Sequence, residues 1–391
     1  MSKTWRIYIL ALVSFLVGTS EYVTAGIVDK IAGSLHISLF AAGQLVTIFS
    51  LVYAICTPVV MALTVRWERR KLMIYSLGVF VLANVLAFLL PGYGSLFAAR
   101  ILMALGAGVV VVTALSLAAK IAPEGKQASS IATVIMGFTA SLIIGVPLGR
   151  IITASYDWRV LFGGIGALGV LAILIIRMII PTTTGDAPVP LRQQLSMIRN
   201  PKVAIALSVT FFWLGGYSIA YTYISPYLIH ITRMSESTLS IALFAFGIAS
   251  LIGSKLGGYS ADRWGVPRTL ITGLLLHAVM MILLSLATHN QMIVIPMLML
   301  WSLSAWSTGP TQQYNLITLS PESSGVMLSL NNSVMQLSMA VGAGLGGLIQ
   351  AKLSLMSITW IGAAGVILAA GLTLIFFRLS SVQLKPQEVQ V

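Results

Sequence analysis

Long apolar stretches recur along the chain from Ile7 almost to Phe377, with only short polar interruptions between them. A helix that spans a bilayer needs roughly 20 mostly apolar residues, and each stretch between two polar interruptions has about this length. The pattern therefore predicts an all-α membrane protein with twelve transmembrane helices. The predicted helices lie at 7-29, 41-64, 72-90, 96-119, 128-152, 159-180, 203-229, 237-260, 267-288, 291-318, 325-349 and 355-377.

The composition agrees with a membrane protein and leaves little room for anything else. Hydrophobic residues make up 58% of the 391 residues and charged residues 8%. Soluble globular proteins carry roughly 25% charged residues, so most of this surface is not made for water. Twelve helices use most of the chain, and no soluble catalytic domain fits in the rest. We therefore expect that the protein is not an enzyme.

The net charge of +13 points to membrane orientation rather than to nucleic acid. With the N-terminus in the cytoplasm, 17 of the 23 basic residues fall in segments on the cytoplasmic side. Loops on that side of a membrane carry an excess of Lys and Arg. The sequence thus predicts a multi-pass protein of a bacterial inner membrane, with both termini cytoplasmic.

A polar interval and a repeated loop divide the chain into two halves. The longest polar interval, 181-202, predicts a cytoplasmic linker between an N-terminal half at 1-180 and a C-terminal half at 203-391. The loop after helix two, at 62-71, is related to the loop after helix eight, at 258-268. Their matching positions, Arg66 and Asp262, are 196 residues apart, which is half the chain. This spacing predicts a duplication of six helices.

The loop Gly258-Tyr-Ser-Ala-Asp262-Arg263-Trp-Gly265 resembles the G-x-x-x-D-R-x-G signature of the major facilitator superfamily. The first copy departs from it, with Arg66 in place of Asp and Arg69 in place of Gly. That copy is similar to the loop of bacterial sugar-efflux and purine-efflux permeases in the drug:proton antiporter branch. The resemblance implies the major facilitator fold of two six-helix halves, and it implies for Asp262, with Arg263, the role of a conformational latch.

Other segments resemble the same branch. Gly145-Val-Pro147-Leu-Gly149 in helix five is similar to a Gly/Pro signature associated with antiporters. Small residues permit close helix approach and proline bends a helix, so this segment is interpreted either as a pivot or as ordinary glycine packing. The segments of helices seven, ten and eleven look most like those of purine base and nucleoside efflux pumps.

Glu21 is the carboxylate that stands out. The chain has ten acidic residues, and nine of them fall at loops or helix ends. Glu21 alone lies well inside an apolar segment, where inserting an ionisable group costs at least ~2.5 kcal/mol and usually marks a functional site. Arg100, near the outer end of helix four, is its predicted partner. The pair is interpreted as a proton-coupling site, with a static structural salt bridge as the alternative.

Several polar and aromatic side chains fall within the predicted helices of the second half. Such groups do not face lipid without leaving polar atoms unsatisfied, so they face the bundle or a water-filled cavity. We predict that together they bind a flat or ring-shaped solute, with interhelical hydrogen bonding as the alternative for any one of them. The predicted solute-binding residues are Tyr217, Tyr221, Trp306, Gln313, Asn332 and Gln336.

Motifs for cofactors and metals are weak. The run Gly342-Ala-Gly344-Leu-Gly346-Gly347 follows no strand, so it indicates helix packing rather than a dinucleotide site. His277 has no second His, Cys or carboxylate at ligand spacing, which argues against a metal site. No Walker motif is present. We expect neither cofactor nor metal.

The sequence thus predicts a monomeric secondary transporter that exports a small organic solute in exchange for protons by alternating access. The solute classes that stay open are purine bases or nucleosides, sugars and drugs. A proton-coupled uptake symporter of the same fold and a lipid flippase are the alternative functions. The expected partners are the solute, protons and the lipid bilayer, and not nucleic acid.

Overall fold

The computed structural model describes residues 3–124, 127–183, 196–287, 291–319 and 324–382. These residues form helices joined by short connections, with no strand among them. The α-helices are α1 Lys3–Gly26, α2 Val28–Leu35, α3 Leu39–Leu63, α4 Arg69–Leu89, α5 Tyr93–Ile121, α6 Gln127–Ala140, α7 Val146–Ser155, α8 Trp158–Ile179, α9 Pro201–Tyr221, α10 Ile224–His230, α11 Glu236–Trp264, α12 Val266–Leu286, α13 Gln291–Leu319, α14 Ser324–Lys352 and α15 Ser357–Val382.

Within the described residues, twelve helical segments are long and apolar enough to cross a membrane. This confirms the predicted fold class and the predicted number of transmembrane helices.

Local signals set several helix ends. The Ser38 hydroxyl accepts a hydrogen bond from the Ala41 amide at the start of α3, and the Asp157 carboxylate accepts one from the Arg159 amide at the start of α8. Such caps satisfy amides that have no partner in the first turn of a helix.

Two of the predicted helices are interrupted rather than continuous. The predicted helix 7-29 breaks at Ile27, between α1 and α2, and the predicted helix 203-229 breaks at Thr222 and Tyr223, between α9 and α10. Past each break the helix resumes, because Ile31 donates to the Ile27 carbonyl at 3.1 Å and Tyr227 to the Tyr223 carbonyl at 3.0 Å. The two breaks are 196 residues apart, the offset of the repeated loops.

The predicted helix 128-152 is also not a uniform α-helix. A single π-turn, Ser141–Gly145, separates α6 from α7. Pro147 follows it at the start of α7 and has no backbone amide to donate to the preceding turn. A proline and a π-turn together change the direction of the helix at this point.

The chain forms two compact units. The first unit comprises Met1–Val189 and Thr222–Gly247. Within it α1 packs against α6, and α4 packs against both α5 and α8. Fully buried side chains such as Phe49, Phe80 and Phe162 belong to its apolar core.

The loop of the first repeat ties α4 to the end of α8 within this unit. The Arg70 guanidinium donates to the Ile180 carbonyl at 3.1 Å, and the Arg69 amide donates to the Thr183 carbonyl at 3.3 Å. Glu68 lies 3.5 Å from Arg70. The basic loop therefore satisfies carbonyls just past a helix C-terminus, where positive charge is favourable.

The second unit comprises Pro190–Tyr221 and Ile248–Val391. Within it α9 packs against α14 and α15, and α12 packs against α13 and α15. Most of the predicted linker, at 184–195, and the C-terminal residues 383–391 lie outside the described residues.

Candidate functional site

Glu21 is buried in α1 with 4% of its surface exposed, and Arg100 in α5 is fully buried. The two side chains lie within electrostatic range of each other, since the charge of the Glu21 carboxylate acts on the Arg100 guanidinium. An acid and a base thus lie near each other within apolar segments long enough to span a membrane. Charged groups at such depth are rare, and they mark ion or proton pathways more often than structural contacts.

The surroundings of Arg100 hold its guanidinium in place. Its Nη1 donates to the Ser20 carbonyl at 2.8 Å, and its Nε donates to the Leu45 carbonyl at 3.2 Å. Its guanidinium carbon lies 4.1 Å from the ring centroid of Phe49, a cation–π arrangement. Arg100 therefore has partners on α1 and α3 besides the nearby Glu21 carboxylate, and the proton-coupling role of the pair stays a prediction.

The glycines of the antiporter-like signature lie against the helix that carries Glu21. A side chain at Gly145 would overlap Thr19, and one at Gly149 would overlap Val23. The pivot interpretation of Gly145, Pro147 and Gly149 stays a prediction, and the observed contact is close glycine packing. Through this packing the π-turn and the start of α7 are fitted to the turns of α1 on either side of Glu21.

A second group of charged side chains in the first unit is centred on Arg150. Arg150 is fully buried, and its guanidinium pairs with Asp29 at 2.5 Å and with Glu236 at 2.8 Å. Lys30 pairs with the other oxygen of Glu236 at 2.6 Å. Two cations and two carboxylates thus balance one another in a cluster formed by α2, α7 and the start of α11, which we call the Arg150 cluster.

The Arg150 cluster also completes the break between α1 and α2. The Gly26 carbonyl accepts a hydrogen bond from Arg150 Nη1 at 3.3 Å and one from the Ser225 hydroxyl at 2.9 Å. A helix break inside apolar surroundings is tolerated only where side chains or water take over the freed backbone groups. In the sequence, the one indication of the Arg150 cluster was that Arg150 directly follows Gly149 of the antiporter-like signature.

Tyr217 is the centre of an aromatic cluster in the second unit. Its ring stacks on Tyr221, with centroids 5.0 Å apart and planes at 16°, and contacts Trp301 at 5.7 Å, His277 at 6.2 Å and Trp306 at 6.4 Å. Three of the predicted solute-binding residues, Tyr217, Tyr221 and Trp306, are thus brought together. Trp301 and His277 were missed as members: Trp301 is five residues from Trp306 and does not share the helix face of Trp306 and Gln313, and His277 was considered only as a metal ligand.

A hydrogen-bonded polar network lies elsewhere in the second unit. Gln312 Nε2 donates to the Ala206 carbonyl at 2.6 Å and to the Thr210 hydroxyl at 3.3 Å. The Thr210 hydroxyl donates to Asn331 Oδ1 at 2.8 Å, and Asn315 donates to Gln312 at 3.4 Å. This network is interhelical hydrogen bonding, which was the alternative interpretation of the predicted amides. It involves Gln312 and Asn331 rather than the adjacent Gln313 and Asn332, which were predicted to bind solute.

The predicted amides Gln313 and Asn332 are half-buried, and neither side chain makes a hydrogen bond with another residue of the described ranges. Gln336, by contrast, is buried. Half-buried amides that take no part in the interhelical network are available to a solute or to water. Their solute-binding role stays a prediction.

The loop-signature residues lie at the exposed end of α11. Asp262 is exposed and pairs with no other residue in the part of the chain that the structure describes. Arg263 donates to the Tyr259 hydroxyl at 2.6 Å. The latch role of Asp262 stays a prediction.

An apolar groove of about 580 Å³ runs between α1 and α6 in the first unit. Trp5, Tyr8 and Leu12 line it and are more than half exposed, and Gly137 forms part of its floor. The chemistry of this wall is apolar and aromatic. No group of three or more metal-ligating side chains occurs within the described residues.

Comparison with known proteins identifies the family. The model of the Major Facilitator Superfamily matches residues 10–343 and 205–390. The chain belongs to this superfamily. It is therefore a transporter of the major facilitator type, a multi-pass membrane protein with twelve candidate spans in its described residues. The predicted family and the predicted transport function are confirmed at this level.

Two bacterial relatives cover almost the whole chain. The Bacillus subtilis (strain 168) protein named uncharacterized MFS-type transporter YbcL is 63% identical over 378 residues, which cover 97% of each chain. The Escherichia coli (strain K12) inner membrane transport protein YdhP is 30% identical over 382 residues, again 97% of each chain. Neither name states a solute.

Solved structures show the same fold at low identity. A bacterial homologue of the human lysosomal transporter Spinster, in an inward-facing and unoccupied conformation, matches with a TM-score of 0.76 and 17% identity, covering 96% of this chain and 97% of that one. The human organic anion transporter MFSD10 matches with a TM-score of 0.72 and 15% identity, covering 95% and 100%. At these identities the likeness extends to the fold alone.

Proposed function

We propose that this transporter exports a small, neutral or weakly charged organic solute across a bacterial inner membrane in exchange for protons, by alternating access. The observation that carries the proposal is the burial of Glu21 beside Arg100 within apolar spanning segments. The orientation that goes with it has both termini in the cytoplasm. Residence in the inner membrane accords with the name of the relative YdhP.

A purely structural role for the pair explains less. A buried ion pair contributes little stability that well-packed apolar residues would not also contribute. Arg100 also donates to the Ser20 and Leu45 carbonyls and lies over the Phe49 ring, so it keeps these partners when the carboxylate is protonated. A carboxylate that gains and loses a proton next to a fixed cation can couple solute movement to proton movement, because the solute and the proton then exclude each other.

One proton-carrying carboxylate is enough to supply the free energy for concentrative export. Each proton that enters down 100 mV supplies about 2.3 kcal/mol. A tenfold concentration ratio corresponds to about 1.4 kcal/mol, so one proton for each solute sustains a gradient of roughly fiftyfold.

The direction of transport and the class of solute rest on the resemblance to the drug:proton antiporter branch. The Gly145, Pro147 and Gly149 signature supports exchange over co-transport. The stacked Tyr217 and Tyr221, with Trp306 beside them, support a flat or ring-shaped solute such as a purine base or nucleoside. Ring stacking also suits a planar drug or the face of a sugar.

The test is pH-driven transport by the purified protein in proteoliposomes. A panel of purine bases, nucleosides, sugars and planar dyes first identifies a solute that wild type accumulates against its gradient when a pH difference is imposed. Glu21→Gln keeps the shape of the side chain and mimics its protonated form. We expect this variant to exchange solute down a gradient and to lose pH-driven accumulation.

Glu124→Gln is the matched control, because it makes the same change at an exposed carboxylate and should accumulate solute as wild type does. Normal pH-driven accumulation by Glu21→Gln would overturn the assignment of Glu21. Accumulation in which solute moves with the protons, rather than against them, would overturn export and establish a symporter. Movement of a labelled phospholipid, with none of the polar panel transported, would establish a flippase instead.

A further inference from the structure

His277 is the buried polar side chain that the proposed mechanism does not use. It lies in α12, fully buried, and neither Nδ1 nor Nε2 of its ring has a hydrogen-bond partner among the described residues. Its ring is enclosed by Tyr217 at 6.2 Å and Trp301 at 6.2 Å. Two unpaired ring nitrogens at full burial are unusual, since most buried polar atoms in proteins have a partner.

The second unit offers His277 no charge partner. Asp262 is the one acidic residue in the described part of that unit, and it lies exposed at the end of α11. His277 lies eleven residues into α12, or about 16 Å from its start at 1.5 Å per residue. An imidazolium there would be a buried, unpaired charge, so the ring is neutral and presents one donor and one acceptor.

A structural role does not account for a histidine at this position. Phenylalanine would fill the same aromatic surroundings without stranding two polar atoms, and the loss of one buried hydrogen bond typically corresponds to about a 5- to 150-fold change in an equilibrium. A partner from outside the chain removes that penalty. The contacts of His277 place such a partner beside Tyr217, whose ring is already part of the predicted solute site.

We infer that His277 is a specificity-determining residue of the solute site: its imidazole hydrogen-bonds a ring nitrogen of an uncharged, planar heteroaromatic solute that stacks on Tyr217. This rests on the proposed function and deepens it. Trp306 is half-buried and contacts Tyr217 at 6.4 Å, so the cluster runs from a partly exposed ring to the enclosed imidazole. The solute enters at Trp306 and packs against the Tyr217 ring.

The chemistry of the cluster defines the class of solute. The faces of Tyr217, Trp301 and Trp306 select a flat ring, for which offset stacking and edge contacts are favourable. A neutral imidazole selects a ring nitrogen or a ring N–H, and a histidine can supply either partner by changing tautomer. A formal charge on the solute would be unpaired here, because the cluster contains no ionised side chain.

The experiment measures binding in the absence of any gradient, so that its outcome does not depend on proton coupling. The purified full-length protein is titrated with benzimidazole, a planar bicyclic ring with one N–H and one ring nitrogen, and with indene, which has the same fused rings and no nitrogen. Binding is followed by calorimetry and by nitrogen NMR of protein labelled in its four histidines.

We expect wild type to bind benzimidazole at least tenfold more tightly than indene, with a shift of one histidine signal that disappears in His277→Phe. His277→Phe should bind benzimidazole about 10- to 100-fold more weakly, as expected when a buried partner is lost. His277→Gln keeps a donor and an acceptor and should retain most of the binding. His230→Phe, the same change at an exposed histidine of the first unit, should bind as wild type does.

Equal binding of benzimidazole by wild type and a folded His277→Phe would overturn the inference, as would no binding by wild type up to the solubility of the ligand. If His277→Phe does not fold, the histidine signal of wild type decides: an unshifted signal at saturation overturns the inference. If the benzimidazole test fails while pH-driven export of another solute depends on Glu21, the role of His277 is rejected and the proposed function stands. Loss of that dependence, with benzimidazole still bound through His277, would reject the coupling and keep the site.

Discussion

Arg150 and Glu236 are 86 positions apart in the sequence, yet the Arg150 Nε donates to Glu236 Oε2 at 3.0 Å within one compact unit. The first residue comes from the N-terminal half of the sequence and the second from the C-terminal half. The same guanidinium pairs with Asp29, so one buried cation joins α2, α7 and the start of α11. Much of the cohesion of this part of the unit therefore depends on a single side chain.

The first prediction concerns that side chain. Arg150→Ala leaves Asp29, which is only 12% exposed, without its partner. Removing one member of a buried ion pair costs about 3–5 kcal/mol, so we expect the free energy of unfolding to fall by that order. Thermal unfolding of the purified variant in lipid nanodiscs, followed by the fluorescence of its tryptophans, measures the change.

Arg177→Ala is the control for this experiment, because Arg177 is exposed in the last turn of α8. Exposed substitutions usually change the free energy of unfolding by no more than about 0.5 kcal/mol. A loss no larger in Arg150→Ala than in Arg177→Ala would mean that the Arg150 cluster contributes nothing to stability. Glu236→Gln should cost less than Arg150→Ala, because the Glu236 side chain is 44% exposed.

The second prediction separates two neighbouring glutamines of α13. Gln312 is 1% exposed and donates to Ala206 and Thr210, so Gln312→Leu should lower the free energy of unfolding by about 1–3 kcal/mol. Gln313 is half-buried and takes no part in that network, so Gln313→Leu should leave stability nearly unchanged and weaken solute binding. Melting temperature and solute affinity, measured on both variants, make the comparison.

The pair of variants is its own control, since each carries the same substitution at adjacent positions. Weaker solute binding by Gln312→Leu alone, with Gln313→Leu like wild type, would contradict the assignment of Gln313 to the solute site. Equal destabilisation by both changes would assign both glutamines to interhelical hydrogen bonding.

The third prediction concerns the glycine packing beside Glu21. A methyl group at Gly145 would overlap Thr19, so Gly145→Ala should push α7 away from α1 and cost about 1–3 kcal/mol of stability. Gly164→Ala is the matched control, because no atom lies within 4 Å of the added carbon. Removing a glycine from a helix interior there should stabilise by about 0.5–1 kcal/mol. A stable Gly145→Ala with slow transport would instead favour the pivot interpretation.

The number of helices was predictable because bilayer thickness sets a length that apolar stretches must reach. The two helix breaks were not predicted, although Gly26 and Pro226 lie beside them and weaken a helix locally. Glycine and proline also occur in continuous membrane helices, and the break after Gly26 is stabilised by tertiary partners, Arg150 and Ser225. The sequence could point to Glu21 and Arg100 as partners because few other charged side chains lie at a similar membrane depth, and their role in proton coupling stays a prediction.

The Arg150 cluster could not be predicted from the sequence, and neither could which of the adjacent amides joins the interhelical network. The reasons differ. Asp29 and Glu236 lie near helix ends, where carboxylates are ordinary, and nothing local indicates that they share a cation. Gln313 and Gln312 differ by 100° around a helix, and the apolar pattern of α13 is too uniform to orient that helix. Long-range pairing and helix rotation depend on the packed neighbours.

The Gly26 carbonyl accepts hydrogen bonds from two side chains, whereas in a continuous helix it would accept one from a backbone amide. This difference affects which substitutions relatives can tolerate. Backbone amides are present whatever residue occupies a position, but the donors from Arg150 and Ser225 exist only while those residues do. Substitutions at positions 150 and 225 should therefore be inherited together. Threonine in place of Ser225 keeps the donor, whereas alanine there should be found mainly in relatives whose first helix runs on without a break.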